Sequence, residues 1–175
     1  MAVLAITLAK PHIGKRSETE NRARQLAGIY ATHGASVKVT SIVSGPNAGC
    51  LGVIRGYPDF QAAAKALQTI AADPAHIDFW QQREANPSAD IVVSRDIVRR
   101  VYGSGRWGTH PVSFIRQYNI SRAKLGDALK LLPEVSELGA SSDVNVVGMV
   151  PVTGDNLSSL SVSYQFRSID HMGEA

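Results

Sequence analysis

The sequence predicts an α+β fold made of two βαββαβ units in tandem, the second stopping after its third strand. Three observations carry this prediction. First, the stretches Val37 to Ala63 and Val146 to Met172 align without a gap, at a constant spacing of 109 residues. Second, both follow one pattern: an alternating run ends at Val43 or Val152, and a turn holds Gly45 and Asn47 or Gly154 and Asn156. A further alternating run then carries Leu51, Val53 and Tyr57, or Leu160, Val162 and Phe166. Alternation with a period of two marks a strand with one buried face. Third, the short apolar run that opens at Val3 recurs at Val112, again 109 residues on. This is a signal of fold, and it carries no catalytic signature.

The composition agrees with a folded chain. At 175 residues there is enough sequence for one core or two small ones, and the apolar share of 44% and charged share of 19% are those of globular proteins. A net charge of +3 is mild. The clusters Lys10, Lys15, Arg16 and Arg95, Arg99, Arg100 lack the interleaved aromatic residues of a nucleic-acid platform, so they read as solvated strand ends and helix starts. Cys50 is the only cysteine, which excludes an intrachain disulfide and a cysteine-rich metal site and fits a reducing, cytoplasmic setting. The run Ala2 to Ala9 is too short to span a membrane and lacks the basic residues that precede a secretory core.

Taken in order, Val3 to Ala9 is a strand apolar on both faces. Ser17 and Glu20 have the spacing of a capping box, opening a helix whose inner face is Ala23, Leu26, Ala27 and Tyr30, with Gly34 as its left-handed stop. Two strands, 37–43 and 49–57, form a hairpin through Gly45-Pro46-Asn47. Asp59 caps a second helix with Phe60, Ala63, Ala64 and Leu67 inward. Asp73-Pro74 starts a third, carrying Ile77 and Trp80. Residues 90–102 form a long strand whose charges, Arg95, Asp96, Arg99 and Arg100, place it near an edge or rim. The first unit is therefore residues 1–102, with a linker at 103–111 and the second unit at 112–175.

The second unit repeats the first strand at 112–119. A helix follows with Leu125, Ala128, Leu129 and Leu132 inward, broken at Pro133 and continued by Val135 and Leu138. After the copied hairpin Ser168 caps a last helix. The second unit thus lacks most of its second helix and its fourth strand, and a partner chain is expected to cover the gap.

Several residues are candidates for chemistry. Gly103-Ser104-Gly105-Arg106-Trp107-Gly108 matches a dinucleotide loop in spacing, but a strand and not a helix follows it, so it reads as the linker. His76 and Trp80 stand one helical turn apart. They are either core and surface neighbours or two walls of a pocket in which an imidazole serves as acid, base or donor. His12 stands at the exit of the first strand. Cys50 pairs with Ser159 across the repeat, as a small packing residue in preference to a nucleophile. Ser159, Ser161, Ser163 and Gln165 share one strand face with Cys50, Gly52, Ile54 and Gly56 as counterparts; the row borders either water or a cavity. Arg116, with Tyr118 two residues on, is a charge in what the repeat makes a central strand. It needs either an ion pair, with Asp96 as one partner, or a carboxylate-bearing ligand.

The element order, the duplicated hairpin and the segment Asp73-Pro74…Phe79-Trp80 resemble the dimeric α/β-barrel, ferredoxin-like superfamily that contains the antibiotic-biosynthesis-type monooxygenases. The resemblance covers nearly the whole chain. It implies two antiparallel sheets facing each other as an α/β barrel, with a ligand held between sheet and helices, built from one chain where single-unit members dimerise. It also implies a small-molecule-binding protein, with cofactor-independent oxygenase or isomerase chemistry on a small organic substrate. The residues that resemblance and spacing nominate are His76, Trp80 and His12 as catalytic, and Arg116, Tyr118, Cys50 and Ser161 as substrate-binding. The haem-degrading members typically have an Asn on the first strand and a His ligand on the second helix. Here Thr7 stands on the first strand and no His follows Trp80 on its helix, so no cofactor and no metal are expected. The expected partners are a small organic molecule and further copies of the chain, with neither nucleic acid nor a membrane. The alternative is a non-catalytic ligand-binding or assembly module completed by a partner chain.

Overall fold

The computed structural model describes residues 2–154 and 156–175, with the backbone alone of residues 93–95. Among these residues the elements run β1 (Val3–Pro11), α1 (Arg16–Thr32), β2 (Ser36–Ser41), β3 (Leu51–Tyr57), α2 (Phe60–Ala71), α3 (Pro74–Ala85) and β4 (Ala89–Tyr102). They continue with β5 (Val112–Asn119), α4 (Arg122–Lys130), α5 (Leu132–Ala140), β6 (Asn145–Pro151), β7 (Ser159–Phe166) and α6 (Ile169–Glu174). The chain divides into two compact units, residues 2–97 and 98–175. The division falls inside β4 and not at 103–111. β4 is 14 residues long; it starts beside β1, and from Val98 it pairs with β6 instead, Val98 opposite Pro151 and Arg100 opposite Met149.

The first unit has the ferredoxin-like strand order β2-β3-β1-β4. β1 lies antiparallel to β3, Ala5 opposite Arg55, and β2 runs antiparallel to β3 on its other side, Val37 opposite Arg55. Odd-numbered residues of β3 face the helices. Val53 and Tyr57 join Leu26, Ile29 and Tyr30 of α1, Ala63, Ala66 and Ile70 of α2, and Phe79 of α3 in one core. In the second unit the counterparts take the same order, β6-β7-β5, again antiparallel. Its core is Leu132, Val146, Val150, Leu160 and Val162, flanked by Leu125, Ala128, Leu129 and Val135. The protein is thus α+β and ferredoxin-like, its second unit ending after a third strand and the six-residue α6.

The helix ends follow local chemistry. The Asp59 carboxylate accepts from the Ala62 amide at 2.8 Å, and the Ser168 hydroxyl accepts from the His171 amide at 3.0 Å. Asp73 accepts from Ala75 at 2.8 Å, with Pro74 in the first turn of α3. Gly34 (φ 80°) ends α1 in the left-handed region, and Asp143 (φ 50°) takes that place after α5. Gly103 (φ 67°) is glycine because a Cβ there would collide with the Val146 carbonyl, so the glycine-rich segment answers to backbone packing.

Several expectations are corrected. Ser17 and Glu20 form no capping box: Lys15 is the N-cap without a side-chain bond, and Glu20 pairs with Arg24 at 2.6 Å. The buried face of α2 is Ala63, Ala66 and Ile70, while Phe60 and Leu67 are exposed. In α3 the buried residue is Phe79, with Ile77 exposed and Trp80 half-buried. Leu138 is exposed. In each case the apolar count allowed two helix faces, and contact with the sheet selected one. The side chain of Arg95 lies outside the described residues; Arg99 is exposed, while Asp96 and Arg100 are half-buried.

Candidate functional site

The first unit leaves a small cavity between its helices and its sheet. The wall from the sheet is Thr7 and Ala9 of β1, Leu51 and Val53 of β3, and Ser88, Ala89 and Ile91 at the start of β4. The helices close it with Thr19, Arg22, Ala23 and Leu26 of α1 and Phe79, Trp80 and Arg83 of α3. Thr19, Ala23, Leu26 and Tyr30 follow one another at helical spacing, so α1 turns a single stripe toward the strands. The cavity is about 50 Å³, room for one or two waters at about 30 Å³ each.

Its polar groups are few and mostly engaged. The Thr19 hydroxyl lies 2.9 Å from the Ser88 carbonyl, and Arg22 reaches the Ser88 hydroxyl at 3.4 Å. Arg83 donates to the Ala89 carbonyl at 3.3 Å, with its guanidinium 5.4 Å from the centre of the Trp80 ring. The Trp80 indole donates to His76 Nε2 at 2.8 Å. An indole N–H only donates, so this nitrogen accepts and the ring proton sits on Nδ1. His76 in turn lies 6.0 Å from the Tyr30 ring. α3 contributes one fully buried side chain, Phe79, making it the least anchored wall of the cavity.

The nominated residues divide as follows. Trp80 lines the cavity, and His76 is bonded to it from behind without lining it. His12 stands away from the cavity wall, its Nε2 3.2 Å from Asp90 in an exposed pair. Cys50 is buried just before β3 as a free thiol. In the second unit, Ser159, Ser163 and Gln165 are buried and Ser161 is half-buried. Part of this row is closed by protein: Gln165 accepts from the Arg106 amide at 2.9 Å and from Asn145 at 2.8 Å. Arg116 and Tyr118 are exposed on β5, which is last in the strand order of the second unit and not central as the repeat implied. Water solvates the Arg116 charge there. Among the described residues it forms no ion pair with Asp96, and its guanidinium lies 5.5 Å from the Phe114 ring centre. Sequence reasoning missed Thr19, Arg83 and Ser88. Thr19 could have been found by extending the Ala23–Leu26–Tyr30 stripe back one turn; Ser88 had no periodic signal.

Three further histidines make structural bonds. His33 joins Asp73 (2.7 Å) to Thr69 (3.0 Å). His110, 4% exposed, meets the Asp143 carbonyl at 3.0 Å, and His171 meets that of Ser142 at 2.7 Å. Among the described residues no three His, Cys, Asp or Glu side chains are grouped to hold a metal, and no helix is long and apolar enough to cross a membrane.

No protein-family model matches the sequence, and no curated protein matches it. Solved structures do. A proposed monooxygenase from Fusobacterium nucleatum subsp. nucleatum superposes with a TM-score of 0.65 at 8% identity, over 99% of this chain and 79% of that one. A proposed monooxygenase from Lactobacillus acidophilus gives 0.61 at 12%, over 99% and 80%. An anthrone oxidase-like protein gives 0.61 at 10%, over 99% and 76%. The chain therefore shares the ferredoxin-like α+β fold of these structures. Fold alone does not assign a reaction.

Proposed function

We propose that the protein is a cytoplasmic, monooxygenase-like enzyme that binds a small organic molecule between the helices and sheet of its first unit and oxidises it without a cofactor. The observation that carries this is the apolar cavity walled by Trp80 and Phe79 with a few converging polar groups, the usual make-up of a small-molecule site. At about 50 Å³ it is closed to an aromatic substrate, so entry displaces α3, which one buried side chain holds. An acidic C–H or O–H of the substrate loses its proton, and the resulting anion delivers an electron to dioxygen. Releasing Nε2 from the Trp80 indole makes His76 the acceptor of that proton. His12, Cys50, Ser161, Arg116 and Tyr118 stay outside this assignment.

The named activity of one structural neighbour supplies the first substrate to try. Anthrone plus dioxygen yields anthraquinone plus water, a balanced reaction read by oxygen uptake and quinone absorbance. Oxidation above the protein-free rate, lowered by about ten-fold or more in His76→Ala and Trp80→Phe, is the expected result. A rate equal to the protein-free control for anthrone and related acidic aromatic substrates would remove the oxidase reading.

The exposed β5 favours a second, compatible reading in which copies of the chain associate. Phe114, Ile115 and Tyr118 are 43%, 56% and 39% exposed on one strand, an apolar edge of the kind proteins cover. Native mass spectrometry should show a homo-oligomer, and a monomer at micromolar concentration would exclude this reading.

A further inference from the structure

Where α1, α2 and α3 of the first unit meet, three side chains form a hydrogen-bonded chain. His33 is the C-cap of α1, Thr69 lies in the last turn of α2, and Asp73 is the N-cap of α3. The Thr69 hydroxyl stands 3.0 Å from His33 Nδ1, and His33 Nε2 stands 2.7 Å from the Asp73 carboxylate. The His33 hydrogen bond, followed by the Ala75 amide, holds the Asp73 carboxyl below its ordinary pKa, so it is ionised at neutral pH. A carboxylate only accepts, which keeps the imidazole proton on Nε2 and turns the Nδ1 lone pair toward the hydroxyl. A hydroxyl, an imidazole within its reach and a carboxylate orienting that imidazole are the parts of an activated nucleophile.

The turn that ends the first helical stretch of each unit does not need the ring. In the second unit the position equivalent to His33, 109 residues on, is Ser142, and Asp143 beside it takes the left-handed place of Gly34.

The reacting side chains face a space large enough to use them. His33, Thr69 and Lys65 all stand in the wall of a second pocket, about 300 Å³ in volume, and Asp73 lies behind His33 outside that wall. The volume reaches the range of small-molecule sites. Pro58, Ala62 and Ala66 line the rest of it with carbon. Lys65 and Thr69 are four residues apart on α2 and so share a helix face. Among the described residues Lys65 enters no ion pair, which leaves its ammonium to meet a developing negative charge.

We propose that this pocket is a second active site, hydrolysing small carboxylic esters with Thr69 as nucleophile, His33 as general base and acid, and Asp73 as the group that orients His33. Thr69 Oγ1 bonds to the ester carbonyl carbon as its proton passes to His33 Nδ1, and the carbonyl π pair moves onto oxygen beside Lys65. That pair returns, the bond to the alcohol oxygen breaks, and His33 gives the alcohol its proton. Water, deprotonated by His33 Nδ1, then displaces Thr69 from the acyl group, and the proton returns to Oγ1. One ester and one water give one acid and one alcohol, with no change of oxidation state. The site uses none of the residues of the oxidase reading and stands or falls without it. The opposing account is a structural tie, in which the Thr69 hydroxyl stays on the Ala66 carbonyl, also 3.0 Å away, as a helical threonine commonly does.

The probes are p-nitrophenyl acetate and an alkyl fluorophosphonate, applied to the full chain. The expected result is nitrophenolate release above the protein-free rate, and a phosphonyl adduct, formed with loss of fluoride, that peptide mass spectrometry maps to Thr69. Thr69→Ala should remove the adduct and lower the rate by about 100-fold or more, and His33→Gln should lower it by a similar factor, while Thr69→Ser keeps both signals. Should His33→Gln fail to fold, Thr69→Ala decides, because Thr69 is exposed and a melting curve checks that the variant is intact. A rate equal to the protein-free control, adducts on other residues but not on Thr69, or undiminished turnover in folded Thr69→Ala would overturn the proposal.

Discussion

Strands β1 and β5 open the two units at equivalent positions, yet their surroundings are opposite. β1 lies between β3 and β4, and Val3, Ala5 and Leu8 are 2%, 8% and 9% exposed. β5 has β7 on one side, stands last in its strand order, and is exposed at every residue after Val112. The same contrast separates α2, with three buried side chains, from α6, with none. Where a sequence pattern repeats, burial need not, because burial is set by which neighbours arrive. The first unit has a strand on each side of β1 and a 12-residue second helix; among the described residues the second has a strand on one side of β5 only, and α6 is six residues long.

The largest expected effect sharpens this contrast directly. Ala5→Arg places an unpaired charge in the buried strand and should cost about 4 kcal/mol or more. Phe114→Arg, 109 residues on, should stay within about 0.5 kcal/mol in urea unfolding. An equally large loss at Phe114 would mean that β5 is covered in solution.

The next effect exchanges the aromatic residues of β3 and β7. Phe166→Tyr introduces a hydroxyl into a buried site and should cost about 1–3 kcal/mol unless it finds a partner. Tyr57→Phe removes an orphaned hydroxyl and should stabilise the free protein by about 1 kcal/mol. It should also flatten the alkaline limb. The Tyr57 pKa is raised in the folded state, so its contribution is present below the ordinary value of 10.0 and lost as pH rises from there through the folded value. A melting series from pH 8 to pH 11 reads both changes.

A smaller comparison concerns the helix caps. Asp59→Ala should cost about 1 kcal/mol, because α2 is packed into the core. Ser168→Ala should cost less, because α6 buries no side chain and can fray. Equal costs would show that α6 is docked more firmly than its burial implies.

The smallest effect is a pH limb in the first unit. The His33 hydrogen bond, followed by the Ala75 amide, lowers the Asp73 pKa below its ordinary 3.8. Its contribution is therefore complete above that value and lost as pH falls through the lower folded value. Asp73→Asn should blunt the decline in Tm below about pH 4, and an unchanged acid limb would place that decline elsewhere.

Much of the fold was legible because it rests on local rules. The alternating runs, Gly34, Asp59, Asp73-Pro74 and Ser168 each act within a few residues, through pleat, left-handed backbone or cap. The spacing of 109 residues then carried element order from one unit to the other. The candidate site was legible only in part. The spacing of His76 and Trp80 leaves open whether they are core and surface neighbours or two pocket walls; Trp80 lies in the cavity wall and His76 does not. Phe79, the buried side chain of α3, carried no separate signal, and Arg116 lies on a strand that is last in its order and not central as the repeat implies. Arg55 falls within the alternating run of β3, and nothing in its neighbours along the chain announces that it is 3% exposed.

Local pattern thus determined the elements, their order and the caps that bound them, since each follows from interactions across one or two helical turns or a strand pleat. Tertiary structure decided which face of α2 and α3 is buried, that β4 is shared between two units, and that β5 is an edge. It also decided that Arg55 and Tyr57 are both buried. These depend on which distant segments arrive side by side, and burial, pairing and charge compensation are properties of that arrangement.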